Sequence, residues 1–232
     1  MNQELLKRIN LGEMLYNLAM AVPDIKMVCF DLNRTLIVEN TWEDLNLAMG
    51  VTPEEDAKFL KWYEEGEISY EEGQRFLEKI YLSRGKATKG AMMNAVSGYR
   101  YAEGAREIVE YLKKKGYQIC LLSGSIDLVA EKVADELGIE LWAAHNRFVF
   151  DEDDNFRKIM CEGDDADFKL EVLTKFVTRA GWELTNCVCV GDGYNDRKIF
   201  EATGHGITTK GTKIEDKAWK VVPNLLSLEE IL

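Results

Sequence analysis

Met27-Val28-Cys29-Phe30-Asp31-Leu32-Asn33-Arg34-Thr35 passes from an apolar run into a polar string, and its reading decides the fold. A run this short, ending on an acid, reads as a buried strand that delivers its last residues to a loop. The same grammar recurs downstream. Residues 118–122 feed Ser123-Gly124-Ser125, and residues 187–190 feed Gly191-Asp192-Gly193-Tyr194-Asn195-Asp196. A further short apolar run covers 141–144. Helical periodicity fills the gaps at 105–115, 126–137, 167–180 and 195–202, and Gly116, Gly138 and Gly181 stand where helices stop. Strands alternating with helices predict an α/β fold, a Rossmann-like parallel sheet with helices on both faces. Ligands of such sheets sit beyond the carboxyl ends of the strands, which gathers Asp31, Ser123 and Asp192 around one crevice.

Residues 39–98 break the alternation. They offer no convincing strand and two capping boxes, Thr52-Pro53-Glu54-Glu55 and Ser69-Tyr70-Glu71-Glu72. The prediction is a small all-helical lid inserted after the first strand. Its aromatic residues Phe59, Trp62, Tyr63, Tyr70, Phe76 and Tyr81 form its own small core, with one or two facing a ligand. The core is then 1–38 together with 99–232, and residues 1–24 form an amphipathic helical extension. Phe148-Val149-Phe150 and Phe156, around an acidic turn, predict a β-hairpin.

Composition narrows the function. The 232 residues are 46% hydrophobic and 30% charged, with a net charge of −12. An acidic chain disfavours nucleic acid and anionic membranes as partners, since both reward basic patches. The N-terminal stretch carries Glu4, Lys7, Arg8 and Glu13, too polar for a signal peptide or a membrane span. Of the five cysteines, four lie in apolar runs and read as small buried hydrophobes. Cys187 and Cys189 alternate along a strand and face one side, without a second pair to complete a zinc set. Reduced thiols fit a cytoplasmic protein, monomer or homodimer. His145 and His205 read as packing or surface residues.

The chemistry lies in the loops. Asp31 at a strand end can attack an electrophile or ligate a hard cation. Asn33 follows on the same side, with a carbonyl oxygen to offer, and Thr35 can hydrogen-bond within the loop. Ser123 and Gly124 precede a helix N-terminus, a natural anion site. Asp192 and Asp196 flank a glycine turn, with Asn195 between them. That spacing suits magnesium held by few carboxylates, with water and phosphate completing the shell.

Taken in order, Asp31-Leu32-Asn33-Arg34-Thr35, Ser123, Lys169 and Gly191-Asp192-Gly193-Tyr194-Asn195-Asp196 resemble the haloacid dehalogenase superfamily of phosphohydrolases. The resemblance runs from about residue 26 to the end. The helical insert looks like that family's type 1 cap. Ala102-Glu103-Gly104-Ala105, Ser123-Gly124-Ser125-Ile126-Asp127 and Asn146-Arg147 look most like its phosphoserine phosphatase branch. The resemblance implies that Asp31 attacks a small phosphomonoester to form an aspartyl-phosphate. It implies magnesium (Mg2+) on Asp31, the Asn33 carbonyl, Asp192 and Asp196. It also implies phosphoryl contacts from Ser123, Gly124, Lys169 and Asn195.

Two departures stand out. The family's phosphatases carry aspartate where this chain has Asn33, and that aspartate exchanges the proton. The amide keeps the shape and loses the acid–base function, so an impaired hydrolase is expected. A phosphotransferase to an organic acceptor and a non-catalytic phospholigand-binding protein are the alternatives. The family's phosphoserine enzymes also grip substrate with a cap glutamate and a cap arginine. Asn40 and Leu77 fall at those positions here, with Glu39 and Arg75 nearby as substitutes. This points away from phosphoserine and toward another small phosphomonoester.

Overall fold

The computed structural model describes residues 24–84 and 86–232. The helix expected at the N-terminus lies outside them. The described residues form a seven-stranded sheet in the order β4-β3-β2-β1-β5-β6-β7. The strands are β1 (Met27–Phe30), β2 (Gln118–Ile126), β3 (Leu141–Phe150), β4 (Phe156–Met160), β5 (Cys187–Val190), β6 (Gly206–Thr209) and β7 (Lys220–Val222). All neighbours pair in parallel except β3 and β4, the predicted hairpin.

Strand β1 is the centre, and every residue of it is buried. Its side chains alternate between two cores. Val28 and Phe30 join the core that holds helices α5 (Ala105–Lys114) and α6 (Asp127–Leu137). Met27 and Cys29 join the opposite core, packed by α7 (Asp165–Arg179) and α8 (Arg197–Thr203). Cys120, Cys187 and Cys189 share that second face as free buried thiols, as expected of small hydrophobes. Burying both faces is why β1 and β5 read as unbroken apolar runs rather than alternating ones. Helix α5 shows the complementary pattern, burying Ala105, Ile108, Val109 and Leu112 on one stripe.

The strands end in register. Phe30 stands opposite Leu121 of β2 and Val190 of β5, and the Asp31 N–H donates to the Val190 carbonyl at 2.9 Å. Three loops therefore leave the sheet side by side, which is the positional basis of the site.

Between β1 and β2 lie helices α1 (Thr41–Ala48), α2 (Pro53–Glu64), α3 (Tyr70–Arg84) and α4 (Lys89–Val96). Both predicted capping boxes form. The Glu55 N–H donates to Thr52 Oγ1 at 3.2 Å, and the Glu72 N–H to Ser69 Oγ at 3.2 Å. Tyr81 is wholly buried, while Phe59, Trp62 and Phe76 make a ring cluster, Phe76 remaining exposed.

Several boundaries differ from the sequence reading. β2 and β3 run well past the predicted 122 and 144, and α7 starts at Asp165 rather than 167. β2 carries a register shift between Ser123 and Ile126, so the strand continues through residues that look like a turn. β6 and β7 were not expected at all. Gly206-Ile207-Thr208-Thr209 and Lys220-Val221-Val222 are too short and polar to announce strands, and they form only by pairing at the sheet's edge.

Candidate active site

Asp31 emerges where β1 stops, nearly buried at 7% exposure. The loop after it turns back at once. The N–H groups of Leu36 and Ile37 both donate to the Leu32 carbonyl at 3.0 Å, and Arg34 takes a left-handed conformation at φ 57°. Thr35 does not fasten the loop through its side chain as expected. Its Oγ1 is buried without a partner, and the backbone turn holds the loop instead.

Lys169 comes up from α7, fully buried, and bridges two acids. Its Nζ lies 2.5 Å from Asp31 Oδ1 and 2.6 Å from Asp196 Oδ1. Asp192 joins them, and one oxygen from each of Asp31, Asp192 and Asp196 falls within a 4.8 Å cluster. Burial pushes the Asp31 carboxyl well up, with Lys169 opposing and Asp196 and Asp192 reinforcing. Burial, followed by repulsion from Asp196, pushes Asp192 up to about 6. Burial pulls Lys169 down, but Asp196 and Asp31 outweigh it and hold the amine firmly as an ammonium. Three carboxylates against one ammonium leave an excess of negative charge, and all the donors are hard oxygens. That donor set fits a magnesium-sized divalent cation.

The glycines are required by close packing. A Cβ on Gly191 would stand 2.2 Å from Asp196 Oδ2. A Cβ on Gly124 would stand 2.6 Å from Asp165 Oδ2 and 2.7 Å from Asn195 Nδ2. Asn195 Nδ2 donates to Asp165 Oδ2 at 3.0 Å, and Ser123 Oγ accepts from the Ser125 N–H at 3.0 Å. Ser123, Gly124 and Asn195 thus line one wall of a cavity of about 340 Å³, with Asp31, Asn33 and Asp192 on its floor.

Asn33 connects floor and insertion. Its Oδ1 accepts from Thr41 Oγ1 at 2.9 Å and from the Thr41 N–H at 3.3 Å. Thr41 opens α1, so the side chain at position 33 is oriented by the helical insertion. Tyr63 and Tyr70 reach across from α2 and α3. Tyr63 donates to Asp164 Oδ2 at 2.5 Å. The Tyr70 hydroxyl donates to the Gly124 carbonyl at 3.3 Å and accepts from Asn146 Nδ2 at 2.6 Å.

Of the tentative substrate residues, Asn40 lines the cavity, while Glu39 and Arg75 do not. Glu39 is engaged by the Arg100 N–H and Nε, both at 2.7 Å. Arg75 lies on the exposed side of α3, 3.8 Å from Glu71. Leu77, buried, lines the cavity instead. Sequence reasoning missed Trp42, Glu43, Asp56, Gln74 and Asp165 in the lining. They come from four different helices, so no local motif announces them. Only Asp165 had an available signal, as an acid in the first turn of the helix that carries Lys169.

A profile of haloacid dehalogenase-like hydrolases matches residues 25–204. A phosphoserine phosphatase of Methanocaldococcus jannaschii is 28% identical over 179 residues, 77% of this chain and 82% of that protein. One of Archaeoglobus fulgidus is 27% identical over 82% of this chain, which spans only 54% of that relative. A solved phosphoserine phosphatase, a phospho-aspartyl intermediate analogue, superposes with a TM-score of 0.74 at 26% identity. That match covers 90% of this chain and 99% of the other. On the matched profile and the seven-stranded core, the chain belongs to the haloacid dehalogenase-like hydrolase family.

Proposed function

We propose that this chain is a magnesium-dependent phosphomonoester hydrolase scaffold working through an aspartyl-phosphate on Asp31, and that Asn33 impairs it. The observation that carries the reading is the convergence of Asp31, Lys169, Asp192 and Asp196 beneath a cavity walled by Ser123, Gly124 and Asn195. The cavity's volume of about 340 Å³ suits a small metabolite. The relatives named phosphoserine phosphatases, one of them a phospho-aspartyl intermediate analogue, support the same chemistry.

In the proposed reaction an Asp31 oxygen attacks phosphorus as the ester P–O bond breaks. With an amide at position 33 the leaving oxygen takes its proton from solvent water. A water oxygen then attacks phosphorus, its proton going to solvent, and Asp31 leaves as the carboxylate with release of inorganic phosphate. The Ser123 hydroxyl, the Gly124 N–H and Asn195 Nδ2 would bind phosphoryl oxygens. Lys169 has three N–H donors and spends two on Asp31 and Asp196, leaving one for the phosphoryl group. Asp31, the Asn33 carbonyl, Asp192 and Asp196 would hold the cation. When bound, it supplies charge neutralisation at the phosphate. Helices α1 to α4, within residues 39–98, act as a cap over a core whose described part is 24–38 and 99–232. A small phosphorylated metabolite in the cytoplasm is the substrate, with neither nucleic acid nor membrane as partner. Among the described residues no helix is long and apolar enough to cross a membrane.

An amide at position 33 cannot exchange a proton near neutral pH. Loss of general acid–base help costs about 10²–10⁴ in rate. The test compares the protein with Asn33→Asp on a panel of small phosphomonoesters with magnesium. Aspartate should raise turnover by about that factor without a matching change in KM. If neither form turns over any ester while both bind phosphate and metal, a binding protein is the better description, a reading Asn33 itself favours.

A further inference from the structure

The cavity's two halves carry different chemistry. The floor and Ser123 wall are built for an anion. The half contributed by α1, α2 and α3 is aromatic and acidic, with Trp42, Phe59, Tyr63 and Tyr70 beside Glu43 and Asp56. Among the described lining residues the cationic side chain is Arg34, and it is already bound to Glu43 at 2.8 Å. Asn40 Nδ2 donates to that same Glu43 oxygen at 2.7 Å. Asp56 has no such compensation. Its Oδ1 accepts from the neutral Asn46 amide at 2.7 Å, and the charge acting on it is the like charge of Glu43. Both tyrosine hydroxyls are committed to the core side, so their rings offer aromatic surface rather than donors. Gln74 is 6% exposed, lines this half, and keeps a buried Oε1 without a partner. An orphaned buried acceptor is costly unless a ligand donates to it.

Resting on the hydrolase reading above, we propose that the leaving group carries an ammonium and no carboxylate, as in the phosphate ester of a short amino alcohol. Its N–H groups would donate to Gln74 Oε1 and to Asp56, with its charge beside the aromatic rings. A carboxylate in the same place would face Asp56, with no free cation among the described lining residues to receive it. Leu77, apolar and buried, makes that half still less hospitable to a second anion.

The test is a binding series on the protein as it stands, with Asn33 and saturating magnesium, by calorimetric competition against inorganic phosphate. n-Propyl phosphate and O-phosphoserine each differ from O-phosphoethanolamine by one group, a methyl in place of the ammonium and an added carboxylate. Phosphoethanolamine should bind at least about tenfold more tightly than n-propyl phosphate, a difference of about 1.4 kcal/mol, and more tightly than phosphoserine. Asp56→Asn, which keeps the shape and an acceptor for Asn46, should erase the preference for phosphoethanolamine over n-propyl phosphate. Equal binding of n-propyl phosphate, or tightest binding of phosphoserine, would overturn the inference while leaving the hydrolase reading intact. Failure of inorganic phosphate itself to bind would overturn both.

Discussion

Replacing Lys169 with methionine removes the ammonium that holds the site's carboxylates together, and its cost follows from the geometry. The amine is fully buried, 2.5 Å from Asp31 and 2.6 Å from Asp196. Methionine fills much of the same volume, so the cavity term is small. What remains is two buried acids whose oxygens lie within 4.8 Å of each other, with Asp192 in the same cluster. At an effective dielectric of about 20, a pair at that separation repels by about 3–4 kcal/mol. Breaking a buried pair from one side typically costs about 3–5 kcal/mol, so that loss is expected at pH 7 in metal-free protein. The loss should shrink toward pH 5. Without Lys169 the Asp31 carboxyl, already raised by burial, rises further above its unfolded value, the folded state binds more protons, and its stability is lost as pH rises. Magnesium should restore part of the loss at pH 7, because a cation takes over the ammonium's charge. Urea unfolding at pH 5 and pH 7, with chelator and with magnesium, measures all of this. A loss below about 1 kcal/mol at pH 7, unaffected by pH and metal, would refute the assignment of Lys169 as the counter-charge of the site.

Two further outcomes follow from the same cluster. Asp192 is pushed up to about 6 against an ordinary carboxylate value near 4, so its contribution is present below about pH 4 and lost as pH rises through about 6. Metal-free protein should therefore lose about 2–3 kcal/mol across that window. Saturating magnesium should flatten or invert the slope, as denaturant midpoints against pH would record; an unchanged slope would remove Asp192 from the metal site. Gly191→Ala places a Cβ 2.2 Å from Asp196 Oδ2, on a side chain pinned by Lys169 and by the Gly193 N–H at 3.2 Å. Overpacking of this kind costs about 1–3 kcal/mol, and the displaced Asp196 should weaken magnesium binding in titration calorimetry; unchanged affinity would count against Asp196 as a ligand.

What the sequence revealed and what it concealed have physical reasons. Residues 27–30 and 187–190 were legible to the residue because a doubly buried parallel strand leaves no room for polar side chains. The loops that follow them were legible because the strand register forces Asp31 and Gly191 to the same level. The capping boxes of α2 and α3 are local devices, readable within four residues. By contrast, β6 and β7 owe their existence to neighbours in the sheet, and nothing in Gly206-Ile207-Thr208-Thr209 encodes that alone. The half of the cavity lined by α1, α2 and α3 is of the same kind. Asp56 lies on α2, Gln74 on α3 and Glu43 on α1, and their proximity is a property of helix packing. The proposal of Glu39 and Arg75 failed to reach the cavity for that reason, since ungapped counting along a helical insertion carries no rotational information.

Position 33 separates two roles that one aspartate would combine. An aspartate there would accept Thr41's two hydrogen bonds on one oxygen and keep the other for proton exchange. Asn33 keeps the first half of that arrangement, with Oδ1 accepting at 2.9 Å and 3.3 Å from Thr41. The amide NH2 is a donor, so it takes the place of the second oxygen. The link between the loop after β1 and the first helix of the insertion therefore survives. So does the partner network around it, in which Arg34 and Asn40 both bind Glu43. On the proposed reading, what the amide cannot supply is the exchangeable proton. With magnesium saturating, so that the cation offsets the charge added beside Asp31 and Asp192, Asn33→Asp should on this ground leave thermal stability within about 1 kcal/mol, while changing turnover. A large stability change would mean that position 33 is held by the fold for packing, and that the amide is more than a silenced acid.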